Sequence, residues 1–188
     1  DAVGRVLHQR WDTNAFWDNY AEVQSSANVL PSFGGFVHDI DLFDADAFRI
    51  SRVEACVMDV QHRSLLEGVI EARANSSSDA HFASSTLMSP VIKKLPNTGV
   101  YVGISGTDFL VDHVKPAAKE LNAFILPGNV LSVAAGRISY IFDFRGPSLA
   151  IDTACSSSIV SAHAAMQATE VGDIDAAASC GVSAIMSV

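Results

Sequence analysis

The stretch LAIDTACSSSIVSAHAAMQA, residues 149–168, sets one thiol where an apolar run gives way to an alanine- and serine-rich segment. Leu149, Ala150 and Ile151 read as the end of a strand, and Asp152 and Thr153 are of the types that cap helix N-termini. Cys155 is therefore expected in or near a first helical turn. There the unpaired backbone N–H groups and the positive end of the helix dipole favour an anion. A thiol so placed ionises more readily, and the thiolate is the reactive form. The same amides can receive the oxyanion that forms on an attacked carbonyl. The chemistry expected is nucleophilic catalysis through Cys155. The competing reading is a small, inert filler within an Ala/Ser helix.

The other reactive side chains offer less. Cys56 and Cys180 fall within a helix and a strand and are expected in the core. Three widely spaced cysteines do not suggest a disulfide framework, and neither a CxxC pair nor a His/Cys zinc spacing occurs. No metal site or bound cofactor is expected. His163 follows Cys155 by eight residues, about two helical turns, too far for direct proton transfer along one helix. It reads as a packed or hydrogen-bonded helix histidine, and His38 and His62 as surface or loop residues. Asn129 and Arg137 are polar groups on an otherwise apolar helix, with Arg137 expected to be a structural hydrogen-bonding residue. The G-x-S-x-G elbow, the G-x-G-x-x-G fingerprint and the P-loop are all missing.

The elements that must carry the thiol follow from periodicity. TGVYVGIS, 98–105, is β-branched and aromatic and reads as a buried strand. Ser148 to Asp152 reads as a second strand, about Cys155 to Thr169 as a helix, and AAASCGVSA as a last buried strand. Earlier, Val53, Val57, Val60, Leu65, Leu66, Val69 and Ile70 recur at helical spacing, which predicts one helix from Val53 to about Ala74. Ser51, with Glu54 three residues on, forms its capping box. Gly128 to Phe142 reads as another helix, and 108–122 as a weaker one with a break or a start at Pro116. The Ser-rich 75–89 reads as a loop, and Trp11, Phe16, Trp17 and Tyr20 as packing anchors. Strands and helices in alternation with short connections predict an α/β layered sheet covered on both faces.

Composition bounds the function. The chain has 188 residues, 49% hydrophobic and 18% charged, a globular profile with a sizeable core. Twelve Lys and Arg against 21 Asp and Glu give a formal net charge of −9, and the basic residues never cluster, so nucleic acid is not an expected partner. The longest weakly polar run, Ala176 to Val188, is 13 residues, too short for a bilayer, and no signal peptide is evident. A reducing, cytoplasmic setting is the expectation. The chain opens at Asp1 and ends inside an apolar run, so it reads as a piece of something larger.

GPSLAIDTACSSSIVSAHAA resembles the active-site segment of β-ketoacyl synthases, specifically the ketosynthase domains of type I polyketide synthases and animal-type fatty acid synthases. Further landmarks follow in family order: RWD at 10–12, GGFVHDIDLFDADAF at 34–48, EACVMDVQHRSLLE at 54–67, GVYVGIS at 99–105 and GNVLSVAAGRISYIFDFRGPSLAIDTACSSS at 128–158. The family pattern differs in carrying proline and glutamine at Val60 and His62, glycine at Arg49, and proline then arginine at Arg52 and Val53.

The resemblance implies a thiolase-like α/β fold, with residues 1–188 as the N-terminal half of a layered αβαβα ketosynthase domain and the C-terminal half absent. It implies that Cys155 accepts an acyl group from the phosphopantetheine thioester of an acyl carrier protein, its backbone N–H serving as an oxyanion donor. Decarboxylative Claisen condensation with a malonyl thioester then gives a 3-oxoacyl product, in polyketide or fatty acid synthesis. The family's two histidines and lysine belong to the later half, so the isolated chain is expected to be inactive in condensation. A homodimer through the GPSLAID strand is implied, with GNVLSVAAGRISY packing nearby and helping to form the acyl pocket. The alternatives are a chain-initiating or other thiolase-fold acyltransferase and a non-condensing ketosynthase-like subunit. A redox or papain-like thiol enzyme lacks its CxxC or His/Asn context.

Overall fold

The computed structural model describes residues 3–5, 33–76, 97–114 and 123–186. Residues 1–40 with 187–188 form one unit and 41–186 a second. In the first, β1 (Val3–Arg5) pairs antiparallel with β2 (Phe33–Gly35), Gly4 opposite Gly34. The anchors Trp11, Phe16, Trp17 and Tyr20, the RWD motif, most of the Ser-rich stretch and the part of the 108–122 helix beyond Val114 lie outside the described residues.

The second unit is built on a parallel sheet of order β4–β3–β5. Its centre, β3 (Thr98–Ile104), is the strand expected from its β-branched and aromatic run, and all seven residues are buried. On one side β4 (Ser148–Ile151) pairs in register Val100 with Ser148, and on the other β5 (Ala176–Val182) pairs Val100 with Ala178. The expectation of a fully buried last strand fails. Burial alternates along β5, and Ala177, Ser179 and Gly181 are exposed. Ala178, Cys180 and Val182 pack against the main core, and β5 is an edge strand among the described residues.

The helix expected over 53–74 is two helices, α1 (Arg52–Val57) and α2 (Val60–Ser76). Ser51 Oγ accepts from the Glu54 amide at 3.2 Å, half of the expected capping box, while the Glu54 carboxylate pairs instead with Arg137. Met58 turns extended and is fully buried, and Asp59 restarts the helix by accepting from the Gln61 amide at 2.8 Å. Arg52 and Val60 are therefore first helical residues, the position at which proline is tolerated, which accounts for the proline of the family pattern at both.

The helix expected over 128–142 divides likewise into α3 (Ile125–Asn129) and α4 (Leu131–Phe142), with Val130 extended between them. Tertiary contacts impose both breaks. The Asp59 amide donates to the Gly128 carbonyl at 2.9 Å, and Asn129 Nδ2 donates to the carbonyls of Val57 and Ile125 at 2.7 and 2.8 Å. Residues 109–114 form a π-helical turn rather than an α-helix.

Alternation along β3 sends its side chains to opposite layers. Val100, Val102 and Ile104 join Leu66 and Val69 of α2 and Ala135 and Ile138 of α4 in the main core, with Phe48 and Ile50. Tyr101 faces α5 (Ser157–Glu170), clustering with Ala165 and Ile174. The result is a three-layer α/β arrangement with α2 and α4 on one face and α5 on the other.

Candidate active site

The α5 layer lies against the sheet at backbone distance. A Cβ built on Gly103 meets Ser157 C and Ser158 N at 2.5 Å, and one built on Gly181 meets Ser158 Cβ at 2.5 Å. The first turn of α5 thus rests on the peptide groups of β3 and β5, which explains the small residues at its start. Ser161, fully buried, donates to Ser158 O at 2.8 Å and lies 3.2 Å from Cys180 O on β5.

Between β4 and α5 the chain makes one short 3₁₀ turn, Ala154–Ser156, and Cys155 stands in its middle. The expected side-chain caps on α5 are replaced by a different network. Asp152 Oδ1 accepts from the Ala154 amide at 3.0 Å. Ser156 Oγ donates to Thr153 O at 2.8 Å and sits 2.9 Å from Thr153 Oγ1. Ser157 Oγ accepts from the Thr153 amide at 2.8 Å and donates to Ala154 O at 2.7 Å. These bonds enclose Ala154, whose φ of 54° lies in the left-handed region. An L-residue there costs about 1–2 kcal/mol. The amides of Thr153, Ala154 and Ser156 are used within the turn, whereas among the described residues none accepts from the Cys155 amide.

Cys155 is exposed and lines a cavity of about 380 Å³ with Gly103, Ser105, Ser157, Ser158, Gly181 and Ser183. The cavity sits at the carboxyl ends of β3 and β5, on either side of the point where chain order reverses across the sheet, the usual ligand position in an open parallel sheet. An exposed thiol whose own amide is unpaired therefore stands beside an open cavity. Residues 128–140 pack against β4, as expected, with Ser139 Oγ 3.1 Å from Ser148 Oγ, and α4 lies on the sheet face opposite to this cavity.

Other sequence-based assignments need correction. Cys56, expected in the core, is exposed, because α1 is a six-residue surface helix with no buried residue. Cys180 is half-buried on β5, where burial pushes its thiol up. His163 is exposed on α5 rather than packed. His38 is exposed, as expected. His62, expected at a surface, is 1% exposed with neither ring nitrogen hydrogen-bonded, and burial, helped by Arg137, pushes it down to about 4. His8, His81 and the side chain of His113 lie outside the described residues. Arg137 is structural, as expected, pairing with Glu54 and donating to Pro127 O at 3.1 Å.

Sequence reasoning missed Ser157 as part of the turn. Its signal was the run of three serines after Cys155, more hydroxyls than a helix start needs. It also missed the buried polar pair Asp59 and His62, although His62 follows Met58 by four residues on the apolar stripe. Burial raises the Asp59 carboxyl. Among the described residues no three His, Cys, Asp or Glu side chains group as metal ligands, and no helix is long and apolar enough to cross a membrane.

The family model "Beta-ketoacyl synthase, N-terminal domain" matches residues 1–188. A phenolphthiocerol/phthiocerol polyketide synthase of Mycobacterium tuberculosis is 37% identical over 187 residues, which cover 100% of this chain and 10% of that protein. The oxazolomycin ketosynthase domain OzmH KS7 of Streptomyces albus superposes with a TM-score of 0.77 at 31% identity, over 100% of this chain and 30% of that one. The ketosynthase from module 6 of the bacillaene synthase of Bacillus subtilis gives 0.72 at 31% identity, over 100% and 27%. Matched from end to end in sequence and aligned with ketosynthases in three dimensions, the chain belongs to the β-ketoacyl synthase family, as its N-terminal, thiolase-like α/β domain.

Proposed function

We propose that this chain supplies the acyl-accepting half of a polyketide-synthase ketosynthase, with Cys155 as nucleophile. The observation that carries the reading is the exposed Cys155 thiol at the head of α5, beside its own unpaired amide and a cavity of about 380 Å³. The thiolate attacks the carbonyl of an acyl thioester borne on the phosphopantetheine arm of an acyl carrier protein. A carbon–sulfur bond to Cys155 forms, and the oxyanion is received by the Cys155 N–H. The bond to the carrier sulfur then breaks, and that sulfur leaves as a thiol after taking a proton. The acyl-enzyme is extended by decarboxylative condensation with malonyl thioester, which draws on groups of a complementary second half. The chain spans 10% of the mycobacterial polyketide synthase and 30% of the oxazolomycin ketosynthase that it matches, which leaves room for that half.

The outer edge of β4, unpaired among the described residues, with Leu149 42% exposed, is the surface for a second copy. All three cysteines are free thiols, in keeping with a reducing compartment such as the cytoplasm. The test is incubation with an acyl N-acetylcysteamine thioester, a truncated carrier arm, followed by peptide mass spectrometry. Acyl mass on the Cys155 peptide, lost in Cys155→Ala, is expected, with no 3-oxoacyl product when malonyl thioester is added. Absence of acylation at Cys155 refutes the nucleophile assignment, and robust condensation refutes the need for a second half.

A further inference from the structure

We infer that Ser157 is a positioning residue for Cys155: its buried hydroxyl holds Ala154 in the left-handed conformation that presents the thiol and its amide to the cavity. The inference rests on the acyl-accepting role proposed for Cys155. Ser157 is 5% exposed, so little of it is open to solvent. That hydroxyl bridges the Asp152–Thr153 peptide, whose Thr153 N–H it takes at 2.8 Å, and the Ala154–Cys155 peptide, giving its proton to Ala154 O at 2.7 Å, so it spans the strained residue. The backbone of Ser157 is itself held by the sheet, since Gly103 leaves no room for movement beneath it. The hydroxyl therefore transmits a fixed position from β3 to the turn. Without it, Ala154 relaxes toward negative φ, and the peptide joining it to Cys155 rotates away from the cavity.

The inference is tested by the rate of Cys155 acylation from an acyl N-acetylcysteamine thioester, with iodoacetamide alkylation of Cys155 relative to exposed Cys56 as a second readout that needs no acyl transfer. Ser157→Ala is expected to slow acylation at least tenfold and to lower the Cys155/Cys56 alkylation ratio. Ser157→Thr, which keeps the hydroxyl, is expected to remain within threefold of the unchanged chain. Glycine adopts positive φ freely, so the hydroxyl matters less once Ala154→Gly is made. The loss from Ser157→Ala is then expected to be at least fivefold smaller in that background.

Acylation of Ser157→Ala within twofold of the unchanged chain overturns the inference. So does an equal loss in both backgrounds, or failure of Ser157→Thr to recover. If Ser157→Ala does not fold, the comparison of Ala154→Gly/Ser157→Ala with Ala154→Gly decides: a tenfold loss there overturns it, and a loss under fivefold supports it. If the unchanged chain is not acylated at Cys155, the acyl-accepting role fails, and the alkylation ratios alone judge the hydroxyl by the same criteria.

Discussion

On one face of the sheet, Val100, Val102 and Ile104 of β3 pack with Leu66, Val69 and Ile138, filling the layer with branched side chains. On the other, Gly103 and Gly181 leave the first turn of α5 lying on bare peptide groups, and serine hydroxyls complete the contact. The first face is held by apolar volume and tolerates local readjustment. At the first turn of α5 the second has no side-chain layer to readjust, so displacement there is passed directly to the turn bearing Cys155. Stability and positioning are thus divided between two sides of the same three strands.

Substitutions on the two faces should separate these roles. Leu66→Ala, at a fully buried position, is expected to cost about 2–5 kcal/mol, read as a lowered denaturant midpoint. The molecules that remain folded should alkylate at Cys155 at the original rate. Gly103→Ala adds one methyl 2.5 Å from the Ser157 backbone and is expected to cost about 1–3 kcal/mol. It should nonetheless change Cys155 alkylation more than Leu66→Ala does. Equal effects of the two on Cys155 would erase the distinction between the faces.

A pH titration sharpens the same contrast, because the large-residue face carries two buried acid-titrating groups, Asp59 and His62. The neutral form of His62 is favoured by burial, which lowers it from 6.5 to about 4. As pH falls from 6.5 toward 4, the unfolded chain binds a proton that the folded chain refuses. Stability should therefore fall through that window, by about 3 kcal/mol in all, and level off below it. His62→Gln, toward the family pattern, should flatten this loss in urea titrations at stepped pH. Asp59 acts in the opposite sense. Its raised carboxyl contributes stability that is present below 3.8 and lost as pH rises through its folded value, so Asp59→Asn should gain at neutral pH while keeping an Oδ1 for the Gln61 amide.

The smallest expected effect compares two strained residues. Arg49, exposed with φ 55°, occupies the position at which the family pattern has glycine. Arg49→Gly should stabilise by about 0.5–1 kcal/mol, the relief of strain exceeding the added freedom of the unfolded chain. Thermal melts will show it, with Cys155 acylation unchanged. Ala154, strained by a similar amount, is expected to couple to Ser157 where Arg49 does not.

Periodicity and turn chemistry revealed β3, β4, α5 and the placement of Cys155, because each of those depends on residues close in sequence. The breaks at Met58 and Val130 depend on bonds between Asp59 and Gly128 and between Asn129 and Val57, about 70 residues apart. No local pattern carries them. Cys56 was misplaced because a six-residue helix has too few turns to declare an inner face. His62 was misplaced because its type outweighed its position on the apolar stripe. The network around Ala154 depends on a backbone angle that residue types alone do not report.

Since α5 meets the sheet peptide to peptide at Gly103, the height of the sulfur above the strands is set by main-chain thickness. Side chains elsewhere in the layer can vary in bulk without raising or lowering it. On the acyl-accepting role proposed for Cys155, tuning for different acyl groups falls to the walls around a fixed post.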